Sequence, residues 1–269
     1  MRKICLLSCT LFLVNISLSA HADTSISLMK TDGYEIGLQI SSYKYEEEVD
    51  GEFFMSNEGN KFGLVGNATN TIGYNSYLVT EFRIASGDVD YTGSGTKSGN
   101  FDRLWELRIT GGQDYEREGY VISPYTGLGV RSLFNDLRGT TSTGAVGYRR
   151  DSEYWYLPVG VTHRFRISAD SRISTNLEYD YLIRGAQKTY LSDADPGYDD
   201  LVNEQKDGYG LRLSSAHETS SLSVGLFYNY WNIADSESET TIYYGIPTGT
   251  GTEPKNETNE FGVQILCRF

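Results

Sequence analysis

Ten stretches of this 269-residue chain alternate apolar and polar side chains with a period of two, which commits them to β-strands with two unlike faces. In "YEIGLQISSY", Tyr34, Ile36, Leu38 and Ile40 share one face, opposite Glu35, Gly37, Gln39 and Ser41. In "LWELRITG", Trp105, Leu107 and Ile109 stand against Leu104, Glu106, Arg108 and Thr110. "YWYLPVGVTHRF" sets Trp155, Leu157, Val159, Val161 and Phe165 against Tyr154, Tyr156, Gly160, Thr162 and Arg164. In "ISTNLEYDYLI" one parity carries Ile173, Leu177, Tyr179 and Tyr181, and the other Ser174, Asn176, Glu178 and Asp180. The predicted strands cover 33–43, 61–71, 74–86, 101–113, 120–132, 153–167, 172–185, 207–217, 220–232 and 257–269.

The connections alternate as well. Long polar segments such as "KYEEEVDGEFFMSNEGN" and "AQKTYLSDADPGYDDLVNEQ" take turns with short ones such as "SADS" and "ETS". A soluble sandwich gives no reason for that order, nor for strands well beyond the usual five or six residues. A membrane-spanning barrel gives both, because lipid satisfies no backbone amide and every strand must be paired. The fold class expected is all-β: a single antiparallel up-and-down transmembrane β-barrel of ten strands, with eight and twelve as alternatives. After residue 22 no stretch reaches the roughly 20 apolar residues of a membrane helix.

The beginning of the chain reads as an export signal. "MRK" is a positive n-region, "ICLLSCTLFLVNISL" an apolar h-region, and Ala20 and Ala22 occupy the small-residue positions before cleavage, so residues 1–22 are a secretory signal peptide and Asp23 begins a single barrel domain, 23–269. Cleavage removes Cys5 and Cys9 and leaves Cys267 alone, which rules out an intramolecular disulfide. Without Arg2 and Lys3 the balance is 21 basic against 36 acidic residues, a net charge of −15, and so acidic a chain offers no phosphate-binding face for a nucleic-acid partner.

The last ten residues, "EFGVQILCRF", form an apolar stripe of Phe261, Val263, Ile265, Cys267 and Phe269 that runs to the final residue. In this the chain resembles the bacterial outer-membrane β-barrel proteins, whose last strand ends in an aromatic residue behind alternating apolar ones. "SPYTGLGVRSL" (123–133), "YLPVGVTHRF" (156–165) and "NLEYDYL" (176–182) look like central strands of the small porin-family and opacity-type barrels related to the outer-membrane protein A barrel. The resemblance implies a Gram-negative outer-membrane location, with lipid and lipopolysaccharide around the barrel. It also implies the barrel-assembly machinery as a biogenesis partner that reads the terminal stripe.

On the opposite parity, Glu81, Arg83, Glu106, Arg108, Arg164, Glu178, Asp180, Arg212 and Glu260 face inward. In a barrel this narrow side chains nearly fill the interior, so these charges are expected to form a paired plug; the alternative is a charge-lined passive channel for small solutes or ions. A structural or surface-interaction role follows from the plug, with the surface ligand unknown. A less favoured enzyme reading is an omptin-like protease or a lipid-modifying enzyme; the omptin proteases are ten-stranded barrels with an aspartate pair and an Asp-His dyad near the outer rim. Asp88 and Asp90 resemble the first pair, but His163 and His217 fall in the periplasmic half, so no catalytic residues are assigned. "SDADPGYDD" carries Asp193, Asp195, Asp199 and Asp200 without the spacing of a calcium loop, and neither metal nor cofactor is assigned. "EFFMS" and "IYYGIP" place aromatic residues at loop tips.

Overall fold

The computed structural model describes residues 26–269, so the signal-peptide reading and its cleavage positions Ala20, Ala22 and Asp23 lie outside the described residues. The strands are β1 (Gly33–Val49), β2 (Glu52–Ile72), β3 (Ser76–Gly93), β4 (Gly95–Gln113), the short β5 (Tyr115–Arg117), β6 (Tyr120–Thr140), β7 (Val146–Arg166), β8 (Ser171–Thr189), β9 (Leu201–Gln205), β10 (Gly208–Thr219), β11 (Leu222–Ile233), β12 (Glu239–Tyr243), β13 (Ile246–Gly251) and β14 (Lys255–Arg268). Each long strand pairs antiparallel with its chain neighbours. β9 and β10 both pair with β8 and make one broken stave, so the wall has ten staves, as the periodicity predicts.

The barrel closes where β1 meets β14, in register from Glu35 opposite Arg268 to Glu48 opposite Lys255. Phe269 N–H donates to Tyr34 O at 2.9 Å, and Tyr34 N–H donates back to Phe269 O at 3.1 Å. The seam is therefore hydrogen-bonded to the last residue, and no strand edge is left open along it. Phe261, Val263, Ile265, Cys267 and Phe269 all face outward, next to the outward Tyr34, Ile36, Leu38 and Ile40 of β1. Side chains of this kind ring the barrel as an apolar band. His163 stands in an aromatic row at its lower margin, 5.4 Å from the ring of Tyr120 and 5.7 Å from that of Phe165. At the upper margin Tyr179, Tyr209 and Tyr230 form a second row, with neighbouring rings 5.9 and 6.1 Å apart. Two aromatic girdles around an apolar band are the outer surface of a membrane-spanning barrel.

The segments expected as long loops are mostly strand. β2, β6 and β7 run for 21 residues each, and the ladders continue far beyond the apolar band, with β1 still paired to β14 at Glu48 and β2 to β3 at Ser56 before the hairpins end as ribbons. The β1–β2 ribbon turns on two residues, Asp50 and Gly51, both with positive φ (53° and 80°), the backbone of a tight hairpin turn whose twist suits the strands. Above the band the outward face meets water, and the inward face mixes buried polar residues such as Glu47 and Asn57 with Tyr45, Met55 and Val89. The hydropathy alternation disappears there while the backbone pairing does not, which is why the sequence pattern ends the strands early. One end of the barrel is thus built of ribbons and the other of short turns, such as Gly73–Asn75 and Ile167–Asp170, beside the C-terminus and the first described residues.

Candidate functional site

Inward residues of the staves converge on a layer of charge at mid-barrel. β3 and β4 place Glu81 opposite Arg108 and Arg83 opposite Glu106, while β8 and β10 place Glu178 opposite Arg212. These are cross-strand neighbours, but the side chains reach further. Arg108 donates Nε to Glu81 on its neighbour at 2.7 Å, and Nη1 and Nη2 across the lumen to Glu178 at 2.6 and 3.0 Å. Arg212 donates Nε to Asp180 at 2.6 Å and spans the interior to Glu106, with Nη1 at 2.9 Å from Oε2. Arg83 reaches Glu260 on β14 at 2.8 Å and lies 3.4 Å from Glu106. Glu260 also accepts from Ser41 Oγ at 2.8 Å.

Three arginines and five carboxylates thereby join β3, β4, β8, β10 and β14 into one network, which brings together Glu81, Arg83, Glu106, Arg108, Glu178, Asp180, Arg212 and Glu260. Glu106, Glu178, Asp180 and Glu260 are buried, and the three arginine side chains are 11–12% exposed. Charges so poorly hydrated are stabilised only if paired, and every member of the network has at least one ion-pair partner.

Arg164 does not belong to this layer. It pairs with Asp114 at 2.5 Å in a separate buried cluster at the turn end, where Ser123 and the backbone N–H of Lys30 (2.6 Å) also donate to the same carboxylate. The reason is depth: Glu178 lies opposite Gly160, and Arg164 is four residues further along β7, about 13 Å at ~3.3 Å per residue. Alternation shows the face of a strand and says nothing of height in the lumen.

Two tyrosines complete the layer, and the charge pattern alone did not reveal them. Tyr156 donates to Glu106 at 2.7 Å and Tyr125 to Glu178 at 2.5 Å. Each phenol lies flat across the glycine directly opposite it on the neighbouring strand, Tyr156 over Gly129 and Tyr125 over Gly160. A Cβ at either glycine would come within 2.2 or 2.4 Å of the ring, so the bare backbone is what lets the hydroxyl swing into the lumen. A tyrosine facing a glycine in register is the sequence signal for this arrangement, but register is fixed only on folding. Above the layer, Lys61 pairs with Asp102 at 2.6 Å and sits 3.1 Å over the ring of Tyr43, while Arg131 stacks on Trp231 at 4.6 Å.

The residues considered for catalysis are placed elsewhere. Asp88 and Asp90 face outward from β3, on the parity opposite Val89, and Asp90 accepts the backbone N–H of Gly99 at 3.1 Å. His163 and His217 are outward strand residues near the turn end rather than residues of solvated turns. No histidine among the described residues shares the ribbon end with the two aspartates. The acidic segment holds itself together: Asp193 binds Arg149, Asp195 accepts from Tyr243, and Asp200 accepts from Ser192 and pairs with Lys188 at 3.2 Å. Among the described residues no cluster of His, Cys, Asp and Glu has the arrangement of a metal site. Of the tip aromatics, Phe53, Phe54 and Tyr244 are exposed, while Tyr243 packs on Tyr198 at 4.7 Å.

No protein-family model and no curated protein sequence matches this chain. Among solved structures it is similar to the outer membrane protease OmpT from Escherichia coli, with a TM-score of 0.57 at 9% identity over 90% of this chain and 99% of that one. Looser likenesses include the toluene transporter TbuX of Ralstonia pickettii, at 0.39 and 10% identity over 88% of each chain. Another is Ail, the attachment invasion locus protein of Yersinia pestis, at 0.32 and 9% identity over 89% and 100%. At these identities the likeness concerns the fold. The chain is a closed ten-stranded β-barrel of the outer-membrane type.

Proposed function

We infer that this protein is an integral outer-membrane barrel with a closed lumen, whose role is structural or surface-interacting rather than that of an open pore. The observation that carries this reading is the Arg212 bridge from Asp180 on β8 to Glu106 on β4, reinforced by the Arg108 bridge from β4 to Glu178. These links cross the interior instead of lining it. A water-filled channel needs a continuous column of water, and the crossing side chains interrupt it. Below the layer lies a polar cavity of about 230 Å³ and above it a second cavity, so the available volume is divided. On the same reading the ribbon end faces outward, which puts Phe53, Phe54 and Tyr244 at the cell surface, and the signal segment is cleaved on export.

Recording in planar bilayers tests the closed lumen. The parent is expected to conduct little current, and Arg212→Ala, which removes the central crossing, to conduct measurably more. Large and steady conductance from the parent, unchanged in Arg212→Ala, favours the passive-channel reading.

A further inference from the structure

The upper cavity, at the ribbon end, has a volume of about 420 Å³, within the roughly 300–1,000 Å³ typical of small-molecule sites. Its walls are mostly apolar and include Met55, Tyr91, Leu137, Val146, Leu191 and Leu201. Its floor is ionic. Glu47 of β1, Arg150 of β7 and Glu253, in the segment leading into β14, are 1%, 9% and 4% exposed, and all three line the cavity.

The bonding on this floor is lopsided. Arg150 donates Nη2 to Glu253 Oε1 at 2.6 Å and pairs through Nη1 with Glu47 Oε1. The Tyr45 hydroxyl lies 2.8 Å from Glu47 Oε1 and 3.3 Å from Glu253 Oε1. Each of these contacts falls on Oε1; the remaining donors of the floor are Arg150 Nε, which has no partner, and the amide nitrogen of Gln187, which stands beside the Glu253 carboxylate. Two buried carboxylates therefore share one guanidinium. Lys97 is the other charged residue lining the cavity, but its ammonium donates to Asn100 and forms no ion pair with either glutamate.

We propose that this vestibule is a binding site for small organic amines with an apolar body, the ammonium lying between the carboxylates of Glu47 and Glu253. A buried carboxylate without a full counter-charge is costly. An ammonium brings one positive charge and up to three N–H donors, and aromatic residues such as Tyr91 and Tyr148 at the wall suit a cation as well as a hydrocarbon. An anion would meet two carboxylates, and a neutral ligand would supply no counter-charge. Burial, with Glu47 adding to it and Arg150 opposing, pushes the Glu253 carboxyl up to about 7, as expected where an acid lacks its cation. A bound ammonium favours the ionised form, so binding near neutral pH should release a proton. The proposal is independent of whether the charged layer below conducts.

Calorimetric titration of the refolded full-length barrel in neutral detergent tests it, with 2-phenylethylamine, 2-phenylethanol and 3-phenylpropionate as probes of one shape and three charges. The amine is expected to bind at least about 10-fold more tightly than the alcohol, and the acid not at all. Near pH 6.5, the amine's heat should depend on the buffer in the sense of proton release. Glu253→Gln should weaken the amine by about 10-fold and leave the alcohol unchanged, since only a charge is removed. Leu201→Trp fills the apolar wall without touching the floor and should weaken both; it also provides a second variant should Glu253→Gln fail to fold. Equal binding of amine and alcohol, no binding of the amine by the parent, or full amine affinity in a folded Glu253→Gln variant would each overturn the proposal.

Discussion

Arg212 and Arg149 carry the same side chain and each meets carboxylate at hydrogen-bonding distance, yet their settings are opposite. Arg212 lies inside the barrel, 11% exposed, shared among Glu106, Glu178 and Asp180. Arg149 lies on the outer side of the ribbon end, with a bidentate contact to Asp193 at 2.8 and 2.9 Å, its guanidinium 4.6 Å over the Tyr190 ring, and its side chain 34% exposed. Bond lengths do not separate the two. What separates them is how fully water replaces the arginine when it is lost: readily at the surface, and only in part in the lumen. A geometric ion pair is therefore a poor index of stability until its hydration is known.

The largest expected effect comes from breaking that contrast directly. Arg212→Ala leaves three buried carboxylates short of a partner and should lower stability by about 3–5 kcal/mol, the usual cost of stripping one member from a buried ionic network. Arg149→Ala should leave the denaturant midpoint of the folded barrel near that of the parent, because solvent takes over Asp193. Equal shifts in the two variants would mean that water reaches the charged layer freely, and the closed-lumen reading would fall with the contrast.

A smaller effect is expected from Gly160→Val. The new side chain collides with the Tyr125 ring, which must leave its flat position and withdraw its hydroxyl from Glu178, an overpacking change costing about 1–3 kcal/mol. Gly127, also inward on β6, faces backbone rather than an aromatic ring, so a rescue experiment can be aimed at the tyrosine. In a Tyr125→Ala background, Gly160→Val should cost markedly less. If its cost is unchanged, the glycine matters for the backbone alone and not for the tyrosine above it.

These cases also mark where sequence reasoning stopped. The ten staves and the outward terminal stripe were legible because the membrane imposes a strict alternation of faces wherever it touches the wall. Inward charge was legible for the same reason. Height was not: Arg164 shares the parity of Glu178 but sits four residues nearer the turn end on another stave, with Asp114 as its partner. The ribbons were hidden because their outward face is polar and their inward face mixes polar and apolar residues, Glu47 and Asn57 beside Tyr45 and Met55, which erases the hydropathy alternation that marks a strand. Asp50–Gly51 was the local clue, a dipeptide suited to the two-residue turn that the β1–β2 ribbon makes. Tyr125 and Tyr156 depend on the residue opposite, which only the register reveals. The Glu47–Arg150–Glu253 floor joins three segments far apart in sequence, all three within stretches expected as loops.

The smallest effects concern two carboxylates at the ribbon end whose responses to pH should be opposite. Glu253 is buried and its carboxyl is pushed up to about 7 from an ordinary value of 4.5. The folded state thus holds a proton that the unfolded chain has released, and stability should decline as pH rises from about 4.5 to about 7, then level off. Asp193 is held below its ordinary 3.8 by hydrogen bonds from Arg149, so its contribution is complete above that value and is lost only as pH falls through the lower one. The exposure of its partner Arg149 keeps that contribution small. Denaturant midpoints measured at pH 5 and pH 8 should therefore separate the variants. Glu253→Gln should lose the parent's decline between the two pH values and be relatively more stable at pH 8, while Asp193→Asn should sit slightly below the parent at both. A Glu253→Gln variant that follows the parent's pH dependence unchanged would show that the vestibule floor carries no uncompensated acid. The contrast between the two settings would then hold in the lumen but not at the mouth.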